Sequence, residues 1–328
     1  MSTVLGSLRR LALAPSLAEV SFARRGFPKP ESAVTRWLEA VPQSVVCGFE
    51  WGVDVRDQWE LERRLELVDV GLRGFAYEGA TMACTVLDAM RGGRGSRTRE
   101  LLLGPGRPHL FLAYIGIGFA MARLPRRLWR TVLPDLPGVP YHPTMSWLAV
   151  DGYGFDRAYF DTDRVVRAQE RLRPYPWQGA AGYFPHAVDQ GIGRALWFIH
   201  GARVADVSAA VRAFAADRRP DLWSGVGLAA TFAGGGDGAA LAALGEAAGE
   251  HRGELAQGAV FAAKARTFSG YVPAHSEQAT RLLTGMPVAV AAELADDVAV
   301  DLRAPRGVPA YEEWRRRIRQ RCLTTHPS

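Results

Sequence analysis

Four stretches of the chain share one short pattern: YIGIGFAMA at 114–122, VDGYGFDRAYF at 150–160, DQGIGRALWF at 189–198 and WSGVGLAATFA at 223–233. Their leading glycines, Gly116, Gly152, Gly191 and Gly225, stand 36, 39 and 34 residues apart. Weaker copies flank them. FAYEGATMA at 75–83 places Gly79 39 residues before Gly118, and LAQGAVFAA at 255–263 places Gly258 31 residues after Gly227. Self-similarity at a period of 20–50 residues is the mark of a repeat architecture, in which each unit cannot bury its apolar face alone.

The motif segments predict helices rather than strands. Alanine, leucine and methionine follow each motif, apolar residues recur at i, i+3 and i+4, and each run is ten or more residues long. Second helices are expected between them, at Thr98–Leu103, Arg126–Leu133, Asp163–Leu172, Val204–Asp217, Ala239–Ala248 and Ser276–Leu283. Proline or glycine punctuates the joints at Gly104–Gly106, Pro134, Pro174 to Pro176, Pro220 and Gly234–Gly236. The expected fold is therefore all-α: about six αα-hairpins stacked into a TPR-like superhelix, either a solenoid or a toroid. Residues i and i+2 of a helix lie about 200° apart, so each glycine pair opens two opposite faces. Four such pairs, each costing helix stability, make sense where neighbouring backbones approach closely on both sides. A dinucleotide-binding loop is excluded, because no strand precedes any copy and GxGxxG is incomplete.

Residues 1–58 are expected to form an irregular arm or cap, and 59–328 one integrated helical-repeat domain. The arm carries Pro28, Pro30 and Pro42, a short helix at Glu31–Glu39 and a β-compatible piece at Val45–Trp51. A helix starting at Trp59 leads into the first motif. Tyr311–Cys322 (YEEWRRRIRQRC) reads as a polar-faced helix closing the array.

A net charge of +6 and a pI near 9.5 invite a nucleic-acid partner, but the distribution argues against one. Lysine occurs only at Lys29 and Lys264, and most arginines alternate with acids. The dense basic spots, Arg123–Arg130 and Arg315–Arg321, read as solvated helix ends and a solvated tail, whereas a nucleic-acid footprint is normally a stripe on one face with interleaved aromatics. Three scattered cysteines (Cys47, Cys84, Cys322) make neither a disulfide framework nor a zinc site and fit a reducing cytoplasm. The early apolar stretch stops at Pro15, and the longest uncharged run, Leu110–Ala122, is too short to span a bilayer. Neither secretion nor membrane insertion is expected.

No HExxH, GxSxG or P-loop is present, and the seven dispersed histidines do not suggest a metal site. Polar and aromatic residues instead gather at the motif starts. Glu78, Asp151 and Asp189 are the candidate catalytic carboxylates, and Tyr77, Tyr114, Tyr153, Asp156, Gln190, Arg194 and Trp223 the candidate substrate contacts. Gln257 belongs to the same group. If the motif helices line the inside of the superhelix, these side chains converge on one concave surface, where acids in an apolar wall acquire raised pKa values. The same residues could equally cap helices or bond neighbouring hairpins.

The segments RGFAYEGATMA (73–83), LLLGPGRPHLFLAYIGIGFAMARL (101–124), WLAVDGYGFDRAYF (147–160), DQGIGRALWFIHG (189–201), DLWSGVGLAATFAGG (221–235) and LAQGAVFAAKAR (255–266) resemble a bacterial family, domain of unknown function 1702. The resemblance runs over roughly residues 5 to 322. Its members, often labelled UnbL-like, are encoded in enediyne polyketide clusters beside the polyketide synthase. The resemblance implies a part in building the enediyne core from a long conjugated polyene, and it carries no settled catalytic residues. Two functions follow as expectations. One is a biosynthetic protein that binds an apolar polyene in a helical-repeat cavity and assists its conversion. The other is a non-catalytic helical scaffold assembling pathway enzymes or a carrier protein.

Overall fold

The computed structural model describes residues 16–28, 32–55, 57–92, 95–299 and 307–325. Among them every regular element is helical, and no strand occurs. The helices are α1 (Leu17–Val20), α2 (Phe22–Arg25), α3 (Ala33–Asp54), α4 (Gln58–Glu66), α5 (Val70–Met90), α6 (Arg97–Leu103), α7 (Leu110–Arg123) and α8 (Trp147–Phe160). They continue as α9 (Phe184–Ile199), α10 (Val204–Ala213), α11 (Arg219–Phe232), α12 (Gly238–Ala248), α13 (Arg252–Phe268), α14 (Ala274–Thr284), α15 (Val288–Asp297) and α16 (Ala310–Thr325). The all-α expectation holds.

The chain divides into two compact units, one of residues 1–26 with 39–153 and the other of residues 27–38 with 154–328. In the first unit the motif glycines set helix backbones against one another. A Cβ on Gly79 would overlap the Val45 carbonyl of α3, and one on Gly116 the Glu78 carbonyl of α5. Gly118 faces forward, to Ala149 and Tyr153, while Gly152 faces back to Ile115. The second unit repeats the device. Gly154 meets Val188, Gly193 meets Leu222, Gly225 meets Gln190 and Arg194, Gly227 meets Leu255, and Gly258 meets Ser224. In the pairs at 116 and 118, 152 and 154, and 225 and 227, the first glycine opens the face toward the preceding helix and the second the face toward the following one. That is what a separation of about 200° requires. Close backbone approach is the gain that offsets the poor helix propensity of glycine.

Three local expectations are corrected. The piece Val45–Trp51 is not extended. It lies within α3, a 22-residue helix with Pro42 in its interior. Gly48 and Gly52 of this helix seat it against Ala76, Ala80 and Ala83 of α5, so packing overrides the strand preference of Val45 and Val46. The row of backbone-packed helices therefore starts inside the segment read as an irregular arm, which also carries α1 and α2; within that segment 1–15, 29–31 and 56 lie outside the described residues. The second correction concerns the hairpins. Second α-helices form at α6, α10, α12 and α14, but 126–131 is a 3-10 helix and Asp163–Arg167 a single π turn. Third, the helix from Trp59 ends at Glu66, and Asp69 caps a new one, α5, through the Gly71 amide.

In the second unit α10, α12 and α14 pack in succession as a further layer beside α9, α11 and α13. The carbonyl end of α11 is closed by side chains. Arg266 and His275 bond the Phe232 carbonyl, Trp37 the Ala233 carbonyl and Trp197 the Gly234 carbonyl. Gly234 and Gly235 follow with positive φ, which reverses the chain there. Arg266 is buried, stacked on Phe232, and burial lowers its pKa to about 10.

Candidate functional site

Register on the motif helices decides where the sequence-selected residues lie. The position just before each leading glycine is Glu78, Ile115, Asp151, Gln190, Ser224 and Gln257 in turn, and every one is buried. One position earlier stand Tyr77, Tyr114, Val150, Asp189, Trp223 and Ala256, also buried. Tyr153 is half-buried, and Asp156 and Arg194 are buried. Tyr77, Glu78, Tyr114, Asp151 and Tyr153 belong to the first unit, and Asp156, Asp189, Gln190, Arg194 and Trp223 to the second.

In the first unit two of these tyrosines meet histidines from the segments that precede the next motif helix. Tyr77 stacks on His109 with ring centres 4.5 Å apart. The Tyr114 hydroxyl lies 2.7 Å from His142 Nδ1. Burial raises the Tyr77 hydroxyl to about 12 and the Tyr114 hydroxyl further, and it lowers His142 below the ordinary histidine range. His142 is thus neutral at pH 7, hydrogen-bonded to a protonated phenol. Tyr153 packs edge-on against Trp129 at 4.9 Å.

In the second unit Asp189 is engaged by Arg218 through both Nε and Nη2, at 2.5–3.1 Å. Burial outweighs this pairing and raises the Asp189 carboxyl above its ordinary value. Gln190, Ser224 and Gln257 lie under α16. The Gln190 amide donates to the Tyr311 hydroxyl at 2.9 Å, Ser224 donates to Gln257 Oε1 at 2.9 Å, and Arg315 Nε donates to the same oxygen at 3.2 Å. Arg194 rests over the Phe155 ring at 5.1 Å, and Trp223 is core.

Arg315 leads from that covered face to a cleft of about 420 Å³. The floor comes from the first turns of α9, α11 and α13, with Tyr183, His186, Asp221 and Glu254. The opposite wall is 307–309 with Glu312 and Arg319 of α16. Proline in the first turn begins both α9 and α11, where its missing amide costs no intrahelical bond. That start leaves His186 on the rim, its side chain 51% exposed, with Asp221 behind it at 10%. His186 Nδ1 is 2.8 Å from Asp221 Oδ2, and Arg315 Nη2 donates to Asp221 Oδ1 at 2.9 Å. Arg315 Nη1 also donates to the Tyr183 hydroxyl at 2.6 Å and to Glu312 Oε2 at 2.9 Å, and Tyr183 donates to that same Glu312 oxygen at 2.7 Å.

Burial works to raise the Asp221 carboxyl, but Arg315 and His186 together outweigh it and hold it below the usual carboxylate range. Asp221 therefore accepts the Nδ1 proton. The bond to Asp221 is the main cause that raises His186 above its ordinary value, against partial burial. The result is an imidazole of fixed tautomer, with Nε2 as its remaining nitrogen. No cluster of three or more potential metal ligands occurs among the described residues.

The family model for the protein of unknown function DUF1702 matches residues 4–322. The chain belongs to the DUF1702 family. No curated protein and no solved structure matches it significantly. Membership does not by itself point to the cleft, and neither did the motifs. His186 stands three residues before the region the repeat singles out, and Asp221, Glu312 and Arg315 lie on other helices. The one signal in the sequence was the spacing of Tyr311, Trp314, Arg315 and Ile318, which puts an arginine on the apolar face of α16, where all four are buried. No helix among the described residues is long and apolar enough to cross a membrane.

Proposed function

We propose that this DUF1702 protein acts in the biosynthesis of an enediyne-type polyketide, binding a linear polyene intermediate and assisting its conversion toward the enediyne core. The enediyne setting comes from the likeness of the repeat segments to UnbL-like sequences. The repeated backbone contacts support stacked units of the TPR-like superhelix kind, on which an extended molecule can be laid. The observation that carries the binding role is the cleft at His186. About 420 Å³ is within the range of small-molecule sites, and it holds an imidazole at a half-exposed position backed by a buried carboxylate. A polar end of the intermediate belongs there, since Glu254, Glu312 and Arg319 line it and an all-apolar ligand would desolvate them without return.

The alternative is a scaffold that assembles pathway enzymes or a carrier protein, and the same charged lining favours it to the extent that it is satisfied within the chain. Complementation separates the two. The gene is deleted in a producing host, and the His186→Gln variant is returned. Gln on an exposed rim leaves packing intact, so loss of product with normal protein levels supports binding of an intermediate at the cleft. Full complementation removes the cleft from the function and leaves the scaffold.

A further inference from the structure

The described lining of the cleft lacks the commonest covalent nucleophiles. Among the described residues lining it, none is serine, threonine, cysteine or lysine, and the Tyr183 hydroxyl is bonded to Glu312 and Arg315 and raised well above the ordinary phenol range by burial. What the cleft does present is a base of defined tautomer and a guanidinium. Arg319 contacts Glu312 Oε1 at 2.5 Å and lines the same space as His186.

We propose that His186 is a proton-transfer residue for a carbonyl compound bound in this cleft, with Arg319 taking the charge that develops on the carbonyl oxygen and Arg315 as a positioning residue acting through Asp221. Nε2 removes a proton from the carbon next to the carbonyl. The C–H electron pair becomes the carbon–carbon double bond of an enolate, and the charge passes to the oxygen facing Arg319. The proton then returns from Nε2 to the same carbon or, in an unsaturated compound, to the far end of the conjugated system. The net change is exchange or a shifted double bond, which consumes no oxidant or reductant. Asp221 stays ionised throughout and keeps the imidazole in the tautomer that leaves Nε2 free. Arg315 holds the other Asp221 oxygen, so the carboxylate cannot swing from His186 to water. The groups that set the pH response of His186 are Asp221 from α11, Arg315 and Glu312 from α16, and Tyr183, stacked on the imidazole from its own helix at 5.5 Å.

This inference rests on the cleft being a binding site, and not on the pathway. The test uses the full chain and the vinylacetyl thioester of N-acetylcysteamine in deuterated buffer. Binding is read by saturation-transfer NMR, and deuterium uptake beside the carbonyl with conjugation of the double bond by proton NMR. We expect binding, catalysed exchange, and a fall of roughly 10²-fold or more in exchange for His186→Gln with binding retained. Free imidazole should restore exchange to His186→Ala. Folded Arg315→Lys should lower the exchange rate more than the affinity and move its pH profile. Binding without catalysed exchange overturns the proton-transfer role and leaves the binding site standing. Absence of binding overturns both. An unchanged rate and pH profile in Arg315→Lys overturns the positioning role, and if that variant fails to fold, Asp221→Asn with an unchanged His186 titration does so instead.

Discussion

Between Glu39 and Tyr153 the position before the leading glycine carries Glu78, Ile115 and Asp151; from Gly154 onward it carries Gln190, Ser224 and Gln257. The backbone device is the same in both units, with glycine against a neighbouring carbonyl. The polar solutions differ. The first unit settles two of its tyrosines locally, each against a histidine 28 to 32 residues on. The second sends a helix from the far end of the chain over its amides and ties them to a buried arginine 94 residues from its carboxylate partner. A periodic backbone contact therefore specifies the row of helices while leaving the side chains beside it free to take up different chemistry.

The sharpest way to break this comparison is at the shared device. Gly116→Leu in the first unit and Gly193→Leu in the second should each abolish cooperative folding. The first added carbon already meets backbone, and overpacking costs about 1–3 kcal/mol even where side chains can yield. Gly236→Ala should be far milder, because its nearest neighbours are side-chain atoms at 3.4 Å or more. Equal shifts in thermal melting at all three positions would show that the glycines are not packing devices.

Next in size is the network that only the second unit has. Arg315→Met strips partners from Asp221, Tyr183 and Gln257 at once, and breaking a buried ion pair costs about 3–5 kcal/mol. The first unit's counterpart, Tyr114→Phe, removes one hydrogen bond and should cost about 1 kcal/mol in chemical denaturation. A result in which the two variants cost the same would erase the contrast between local and long-range polar design.

The pH response should follow the same division. His186 has a raised folded value, so its bond to Asp221 contributes fully below the unfolded value of 6.5 and is lost as pH rises through the folded one. Asp221, held low, contributes above 3.8, and that is lost as pH falls. His142 in the first unit is depressed, so it favours folding above 6.5 and opposes it as pH drops below. Melting followed from pH 5 to 9 should therefore show His186→Gln weakening the alkaline fall, and His142→Gln the acid one. The smallest effect has the opposite sign. Gly245→Ala, inside α12 with open space around the new methyl, should stabilise the protein by about 0.5–1 kcal/mol.

Much of this fold is legible in the residues alone, and the reasons are local. Period, glycine pairing and alanine-rich runs each report on a single helix and its immediate neighbours, and the structure has helices at all six motif copies. Where local signals misled, a distant surface had taken over. Val45 and Val46 are good strand residues in isolation, yet Gly48 and Gly52 beside them commit the segment to lie helix-on-helix against α5. Asp189 gave no hint that its partner is Arg218, because an ion pair across 29 residues leaves no periodic trace.

The sequence by itself determined an all-helical chain, the spacing of its motif helices and the faces on which they touch, since a glycine pair two residues apart can serve two neighbours only on opposite sides of a helix. It also narrowed the family. Only the tertiary structure decided which polar groups meet. His186, Asp221 and Arg315 sit on three helices separated by 35 and 94 residues, and no rule of spacing brings an arginine from α16 under a carboxylate at the start of α11. Charge pairing in a buried place is settled by where the chain's ends come to rest, because desolvation makes each such group find whatever partner the packing supplies.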